Sequence, residues 1–265
     1  MAELLSIQNL SIRFPSEKPG IYAVKDLCLS VREGEIMGIV GESGSGKTVT
    51  ALSVCGLLPN GTEITGSITL DGWQIVGASE KQMRTHQGID LAMVFQEPMT
   101  SLNPVMRIGA QVEECLRMHT ALSAQERRKL ALEALAQVEL PEPETVYRKY
   151  PHELSGGQLQ RVMIAAAIVG NPRLILADEP TTALDVSVQA QILELLKRLN
   201  REKGITILFI SHNLKVVRKL CDRVAVMQNG HLVEAGTAEQ IFCRPTQDYT
   251  KRLIAAIPTR DKKLI

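Results

Sequence analysis

Long apolar runs are missing from this 265-residue sequence; the longest, around Val162 to Val169, is far too short to cross a bilayer. No basic segment followed by an apolar one opens the chain. MAELLSIQNLSIRF carries an early charge and then alternates, so a secretory signal is not expected. Neither sign of charge is in excess: 30 Lys and Arg against 29 Asp and Glu give +1, and the basic residues are scattered. That distribution lacks the basic stripe of a protein that tracks phosphate backbones, and it excludes nucleic acid as the expected partner. The five cysteines, Cys28, Cys55, Cys115, Cys221 and Cys243, stand apart and form no C-x-x-C pair. Zinc and a redox couple are thereby disfavoured, and reduced thiols in a cytosolic compartment are expected. Internal repeats and low-complexity linkers are also lacking.

What the chain does have is glycine in a particular order. GESGSGKT, Gly41 to Thr48, fits the G-x-x-x-x-G-K-[ST] loop, whose backbone N–H groups cradle phosphates while the Lys and the hydroxyl reach the terminal phosphates and Mg²⁺. Ile36 to Val40 reads as a buried strand before it, and a helix is expected from Lys47 to about Leu58 after it. That strand, loop and helix order is the context such a loop needs. Upstream, Leu4 to Phe14 and Val24 to Val31 alternate as antiparallel strands around the turn chemistry of Pro15 to Gly20.

Leu91 to Phe95 is expected to be a further strand, followed by helical patterning to about Tyr150, with a capping box at Ser123 and Glu126. A helix is expected from Leu159 to Val169, then a strand at Leu174 to Ala177 whose unbroken apolar run suits a parallel sheet. Asp185 can cap the next helix and Gly204 can stop it; Ile205 to Ile210 is the next strand. Arg223 to Gln228 and His231 to Ala235 flank Asn229-Gly230, the signal for a hairpin with a type I′ turn. Strands alternating with helices predict an α/β fold.

A phosphate loop needs a second acid for Mg²⁺ and a group for the attacking water. Asp178, the last acid of an apolar strand, is the expected Mg²⁺-side carboxylate, and Glu179 beside it can orient or deprotonate water. His212 follows a strand and could contact a γ-phosphate. Gln96 ends a strand at the entry to the helical insertion, where it could reach Mg²⁺ or the water. LSGGQ, Leu154 to Gln158, sets Ser155, Gly156 and Gly157 immediately before a helix, so N–H groups, a hydroxyl and a helix dipole converge: a second anion site in one chain.

These motifs in this order resemble the ATP-binding subunits of ABC transporters, over nearly the whole chain. The resemblance implies a P-loop NTPase core of ABC-ATPase type with an N-terminal antiparallel β subdomain and an inserted α-helical subdomain. It implies a single domain, 1–265, with 1–96 and 159–265 as the ATP-binding core and 97–158 as the helical subdomain. Two such domains would pair head to tail with ATP and Mg²⁺ between them. Gly41, Glu42, Ser43, Gly44, Ser45, Gly46, Lys47, Thr48 and Val49 would form the nucleotide stretch, with Thr48, Gln96 and Asp178 around Mg²⁺. Glu179 would be the catalytic base, His212 the switch histidine and Asp185 the D-loop residue, while Ser155, Gly156, Gly157 and Gln158 would act on the opposing subunit's nucleotide. Phe14 is favoured as the aromatic that stacks on adenine, with Tyr22 as competitor.

FQEPMTSLNP at Phe95 to Pro104, EPTTALDVSVQAQIL at Glu179 to Leu193 and RPTQDYTKRLIAAIP at Arg244 to Pro258 look like the oligopeptide, dipeptide and nickel importer branch. GLLPNGTEITGSITLDG, Gly56 to Gly72, is similar to its D-type subunit. The implied assembly is this chain, a sister ATPase as heterodimer partner, two transmembrane permeases and an extracytoplasmic substrate-binding protein, with this subunit peripheral on the cytoplasmic face of the membrane. Gln247-Asp248 departs from the branch's His-Pro, and the solitary Cys243 predicts no iron–sulfur cluster. The short tail favours nickel or a nickel chelate as cargo, with short peptides as the alternative. The rivals are an exporter ATPase and an ABC ATPase of DNA repair or translation, which would bring zinc modules or basic extensions. No N-K-x-D motif supports a GTPase.

Overall fold

The computed structural model describes residues 2–15, 20–182 and 184–257. Most of the turn expected between Pro15 and Gly20, Ala183, and everything from Pro258 onward lie outside them. The chain divides into two compact units, Met1–Gly77 with Leu208–Ile265, and Ala78–Ile207.

The first unit opens with β1 (Glu3–Arg13) and β2 (Val24–Arg32), antiparallel partners as their alternation predicts, with Leu27, Leu29 and Val31 buried on one face. β3 (Ile36–Val40) is buried at every position. The helix after the phosphate loop, α1 (Lys47–Val54), ends earlier than expected. Gly56 takes a left-handed φ of 65°, and the N–H groups of Gly56 and Leu57 turn back to Ser53 O and Leu52 O at 3.2 and 2.9 Å. That Schellman closure terminates the helix before Leu58. β4 (Glu63–Leu70) and the short β5 (Trp73–Gln74) complete a four-stranded sheet of order β2-β1-β4-β5.

The second unit begins with α2 (Glu80–His86) and β6 (Leu91–Val94). Five helices follow: α3 (Pro98–Ser101), α4 (Ile108–Val112), α5 (Glu114–His119), α6 (Ala124–Gln137) and α7 (Pro143–Arg148). The Ser123–Glu126 capping box starts α6 as expected. α8 (Gly156–Ile168) begins three residues before the expected Leu159, because Ser155 caps it. β7 (Leu174–Asp178) is buried throughout and pairs parallel with β6. α9 (Val186–Lys203) starts on Asp185, whose carboxylate accepts from Ser187 N and Val188 N, and stops at left-handed Gly204. β8 (Thr206–Ile210) gives this unit the order β8-β7-β6.

The chain re-enters the first unit within β8. There the order is β10-β9-β3-β8, with β9 (Arg223–Gln228) parallel to β3 and antiparallel to β10 (His231–Thr237). α10 (Leu214–Leu220) precedes this hairpin; α11 (Ala238–Cys243) and α12 (Asp248–Ala255) follow it. The turn has Asn229 at φ 49° and Gly230 at φ 80°, the pair of positive values a type I′ turn requires.

Candidate functional site

In the first unit the loop from Gly41 to Gly46 joins β3 to α1, and its glycines are dictated by what surrounds them. A Cβ on Gly41 would stand 2.2 Å from Met227 O at the end of β9. One on Gly46 would stand 2.6 Å from Ala23 O, and Gly46 also holds φ 99° as the residue that starts α1. Over Gly44, by contrast, there is open space. Ser45 O accepts from Gly230 N at 3.2 Å, so the β9–β10 turn braces the loop. Lys47 is 6% exposed and donates from Nζ to Gly41 O at 3.0 Å, Glu42 O at 2.8 Å and Ser45 Oγ at 3.3 Å. A tight glycine loop ending on a helix N-terminus, with a buried ammonium across it, fits a phosphate chain. Thr48 is exposed and Val49 half-buried on the first turn of α1, while Glu42 and Ser43 are exposed.

The same unit carries His212, exposed on the turn between β8 and α10. Ser211 N donates to Ile39 O of β3 at 3.2 Å, and Asn213 caps α10 through Lys215 N at 3.1 Å. The turn bearing His212 is thus tied to the strand that leads into the phosphate loop. Phe14 is half-buried just after β1. Tyr22 is 39% exposed, lies under Lys25 Nζ at 5.8 Å and directly precedes Ala23, whose carbonyl faces Gly46.

In the second unit Asp178 is 4% exposed at the end of β7. Glu179 follows at φ 46°, a left-handed value that an L residue holds only where its surroundings fix it. Its Oε2 accepts from Gln96 Nε2 at 3.4 Å and from Thr182 Oγ1 at 2.9 Å. Gln96 and Glu179, 83 positions apart, are therefore brought together. Thr182 is a contact the motifs did not single out, although its i+3 spacing after Glu179 was visible. Among the described residues no group of three or more His, Cys, Asp or Glu could hold a metal. Thr48, Gln96 and Asp178 are oxygen donors of the kind a hard cation such as Mg²⁺ accepts when phosphate and water supply the rest.

LSGGQ caps α8 in the same unit. Ser155 Oγ accepts from Gln158 N at 3.4 Å, and Ser155 N donates to Gln158 Oε1 at 3.0 Å. Gly156 and Gly157 are therefore the first helical residues rather than a lead-in, and their N–H groups stand at the helix start. Gly157 has a second reason to lack a side chain: a Cβ would approach Val188 Cγ1 of α9 to 2.7 Å. Asp185 is exposed, and its hydrogen bonds to the Ser187 hydroxyl and to Val188 N hold its carboxyl below the usual range. Its capping role is thus visible beside any role toward a partner.

Residues 24–182 match the family described as ABC transporter. The chain is 49% identical over 257 residues to the peptidoglycan transport ATP-binding protein YejF of Agrobacterium fabrum, covering 96% of itself and 47% of that protein. It is 46% identical to the glutathione import ATP-binding protein GsiA of Escherichia coli, covering 96% of itself and 42% of the relative. It spans a little under half the length of these two proteins. Among solved structures, the ATP-binding cassette MJ0796, a dimer bound to ADP and Pi, is 33% identical with a TM-score of 0.79 over 89% of this chain and 99% of that one. CbiO1 of Clostridium perfringens, part of the cbiONQ ABC transporter complex, is 27% identical with a TM-score of 0.77 over 92% of each chain. These likenesses account for the mixed α/β architecture, its antiparallel sheet and its helical segment: the chain belongs to the ABC transporter family, as an ATP-binding ATPase domain.

Proposed function

We propose that this domain hydrolyses ATP to power import of short peptides across the cytoplasmic membrane, as a peripheral subunit on the cytoplasmic face. It would pair with a sister ATP-binding subunit and work with two permeases and an extracytoplasmic binding protein. The observation that carries the chemistry is the contact of Gln96 with Glu179 in a chain whose phosphate loop folds around a buried Lys47. The peptide reading is supported by the cargoes in the relatives' names, peptidoglycan and glutathione. Nickel, the cargo first expected from the sequence, has no such support. Among the described residues no helix is long and apolar enough to cross a membrane, so coupling to transport is assigned to the partners. The functional organisation is read as a single domain, 1–265, with 1–96 and 159–265 as the core and 97–158 as the helical subdomain.

In this reading the N–H groups of Gly41 to Val49 and the Lys47 ammonium bind phosphate oxygens. Thr48, Asp178 and Gln96 would hold Mg²⁺, which when bound would supply charge neutralisation on those oxygens. Gln96 and Thr182 fix the plane of the Glu179 carboxylate, which takes the proton of the attacking water. His212 contacts the terminal phosphate and reports its loss. Ser155, Gly156, Gly157 and Gln158 receive the partner's nucleotide at the start of α8, with Asp185 at the dimer interface. Phe14 stacks on adenine; Phe14→Ala and Tyr22→Ala compared for ATP affinity decide between the two aromatics.

The test is uptake in vesicles holding the full transporter, comparing a labelled dipeptide with Ni²⁺ in wild type and Glu179→Gln. Dipeptide uptake abolished by the substitution supports the proposal. Nickel uptake alone would replace the cargo, and uptake of either indifferent to Glu179 would remove the importer assignment.

A further inference from the structure

The phosphate loop is held from a second side, by α12. Glu42 donates its N–H to Tyr249 Oη at 3.3 Å, across 207 positions of sequence. Tyr249 lies on α12 and is 7% exposed. The start of α12 is fixed by Glu234 of β10: Oε1 accepts from Thr246 N and Thr246 Oγ1, both at 2.8 Å, and Oε2 accepts from Gln247 N at 3.2 Å. Farther along, Leu253, Ala256 and Ile257 border an open cleft of about 410 Å³ whose other wall includes His212 and Lys215. One helix, anchored at its base, thus contacts the phosphate loop, and its last turn borders the same cleft as the turn bearing the candidate switch histidine.

A loop built from glycines packs few side chains, so its shape depends on the hydrogen bonds that reach it from outside. Gly230 holds the Ser45 carbonyl, and Tyr249 holds the Glu42 amide. Glu42 is also where Lys47 rests, donating to the Glu42 carbonyl at 2.8 Å. Burial pushes the Tyr249 phenol above its ordinary range, so it remains a hydroxyl at neutral pH.

Resting on the reading of this loop as the ATP site, we propose that Tyr249 is a positioning residue: its hydroxyl fixes the Glu42 end of the loop and thereby pre-organises Lys47 for phosphate. The hydroxyl touches no reacting atom; it acts through the backbone of Glu42.

The experiment compares the intact wild-type chain with Tyr249→Phe, which keeps the ring and its packing and removes only the acceptor. Hydrogen exchange without nucleotide should accelerate in the peptide covering 41–48 and stay unchanged in the peptide covering 248–255. Steady-state kinetics should show the KM for ATP raised about two- to tenfold, the range one modest hydrogen bond spans, with kcat within about twofold. Glu234→Gln, which loosens the base of α12, should move KM the same way by less. Exchange unchanged at 41–48, or an unchanged KM despite a lowered melting temperature, would reduce Tyr249 to a packing residue. Absence of ATP hydrolysis in the wild type would instead sink the ATP reading, and the exchange comparison would still decide whether Tyr249 shapes the loop.

Discussion

Gln96 Nε2 donates to Glu179 Oε2 at 3.4 Å, joining the end of β6 to the end of β7 through their side chains. A carboxylate gripped this way is oriented before any water reaches it. Glu179→Gln should retain ATP binding and lose hydrolysis by at least about 100-fold, the lower end of what a positioned general base contributes. Gln96→Ala should cost less, about tenfold, since Thr182 still holds the same oxygen. Single-turnover hydrolysis beside equilibrium ATP binding separates the two effects, and near-wild-type turnover in Glu179→Gln would refute the assignment.

Gly46 is held at φ 99° with Ala23 O in the place of a side chain. Gly46→Ala should lower stability by about 1–3 kcal/mol and weaken nucleotide binding together. Thermal melts with and without ATP check this; a variant as stable as wild type would show that the loop adapts.

Gly157 meets Val188 across α8 and α9. Gly157→Ala should destabilise by about 1–3 kcal/mol through overpacking. Val188→Ala in the same chain should restore most of the loss, a coupling that a double-mutant cycle by denaturant unfolding measures. Additive losses would mean that the cost of Gly157→Ala does not arise against Val188.

Glu139 accepts from Arg198 and, at 3.1 Å, from Arg161, and the two guanidinium groups hold its carboxyl below the ordinary 4.5. With the folded pKa depressed, the unfolded chain takes up the proton first as pH falls. The contribution is complete above about 4.5 and is lost as pH drops through the lower folded value. Glu139→Gln should therefore flatten the decline of melting temperature between about pH 6 and about pH 3. A decline as steep as wild type's would assign the acid sensitivity to other groups.

Cys28 and Cys243 are exposed, whereas burial pushes the Cys55 thiol up to about 12 and raises Cys115 and Cys221 as well. A thiolate-directed reagent near neutral pH should label Cys28 and Cys243 in the native protein and reach Cys55, Cys115 and Cys221 only on unfolding. Mass spectrometry of digested adducts reads this out, and native labelling at Cys55 would mean that the α1 region opens.

The legible parts of this fold are those with local signatures. Asn229-Gly230 announced its hairpin, and Ser123 and Asp185 announced their helix starts, because turn and cap chemistry acts within a few residues. The end of α1 is not legible because apolar residues run on to Leu58, while the left-handed Gly56 closes the helix before them. The start of α8 is obscured because Gly156 and Gly157 read as loop, although Ser155 and Gln158 cap across them. β4 carried no clear pattern: its first half is largely exposed and Gly66 sits in its middle with φ 93°. At the candidate site, the motif residues stand out in sequence order alone. Their supports do not, since Met227, Gly230 and Tyr249 reach the phosphate loop from segments with no sequence signal pointing back to it.

The bond between Glu42 and Tyr249 sets an order of events during synthesis. Glu42 of the phosphate loop is translated 207 positions before the Tyr249 hydroxyl that braces it. At about 5–20 residues per second that interval is roughly 10 to 40 s. Through that time the loop has its glycines and its lysine but not the Tyr249 hydroxyl to set their shape. Until residue 249 has been translated, the Glu42 amide of the loop lacks the side-chain acceptor that holds it in the folded domain.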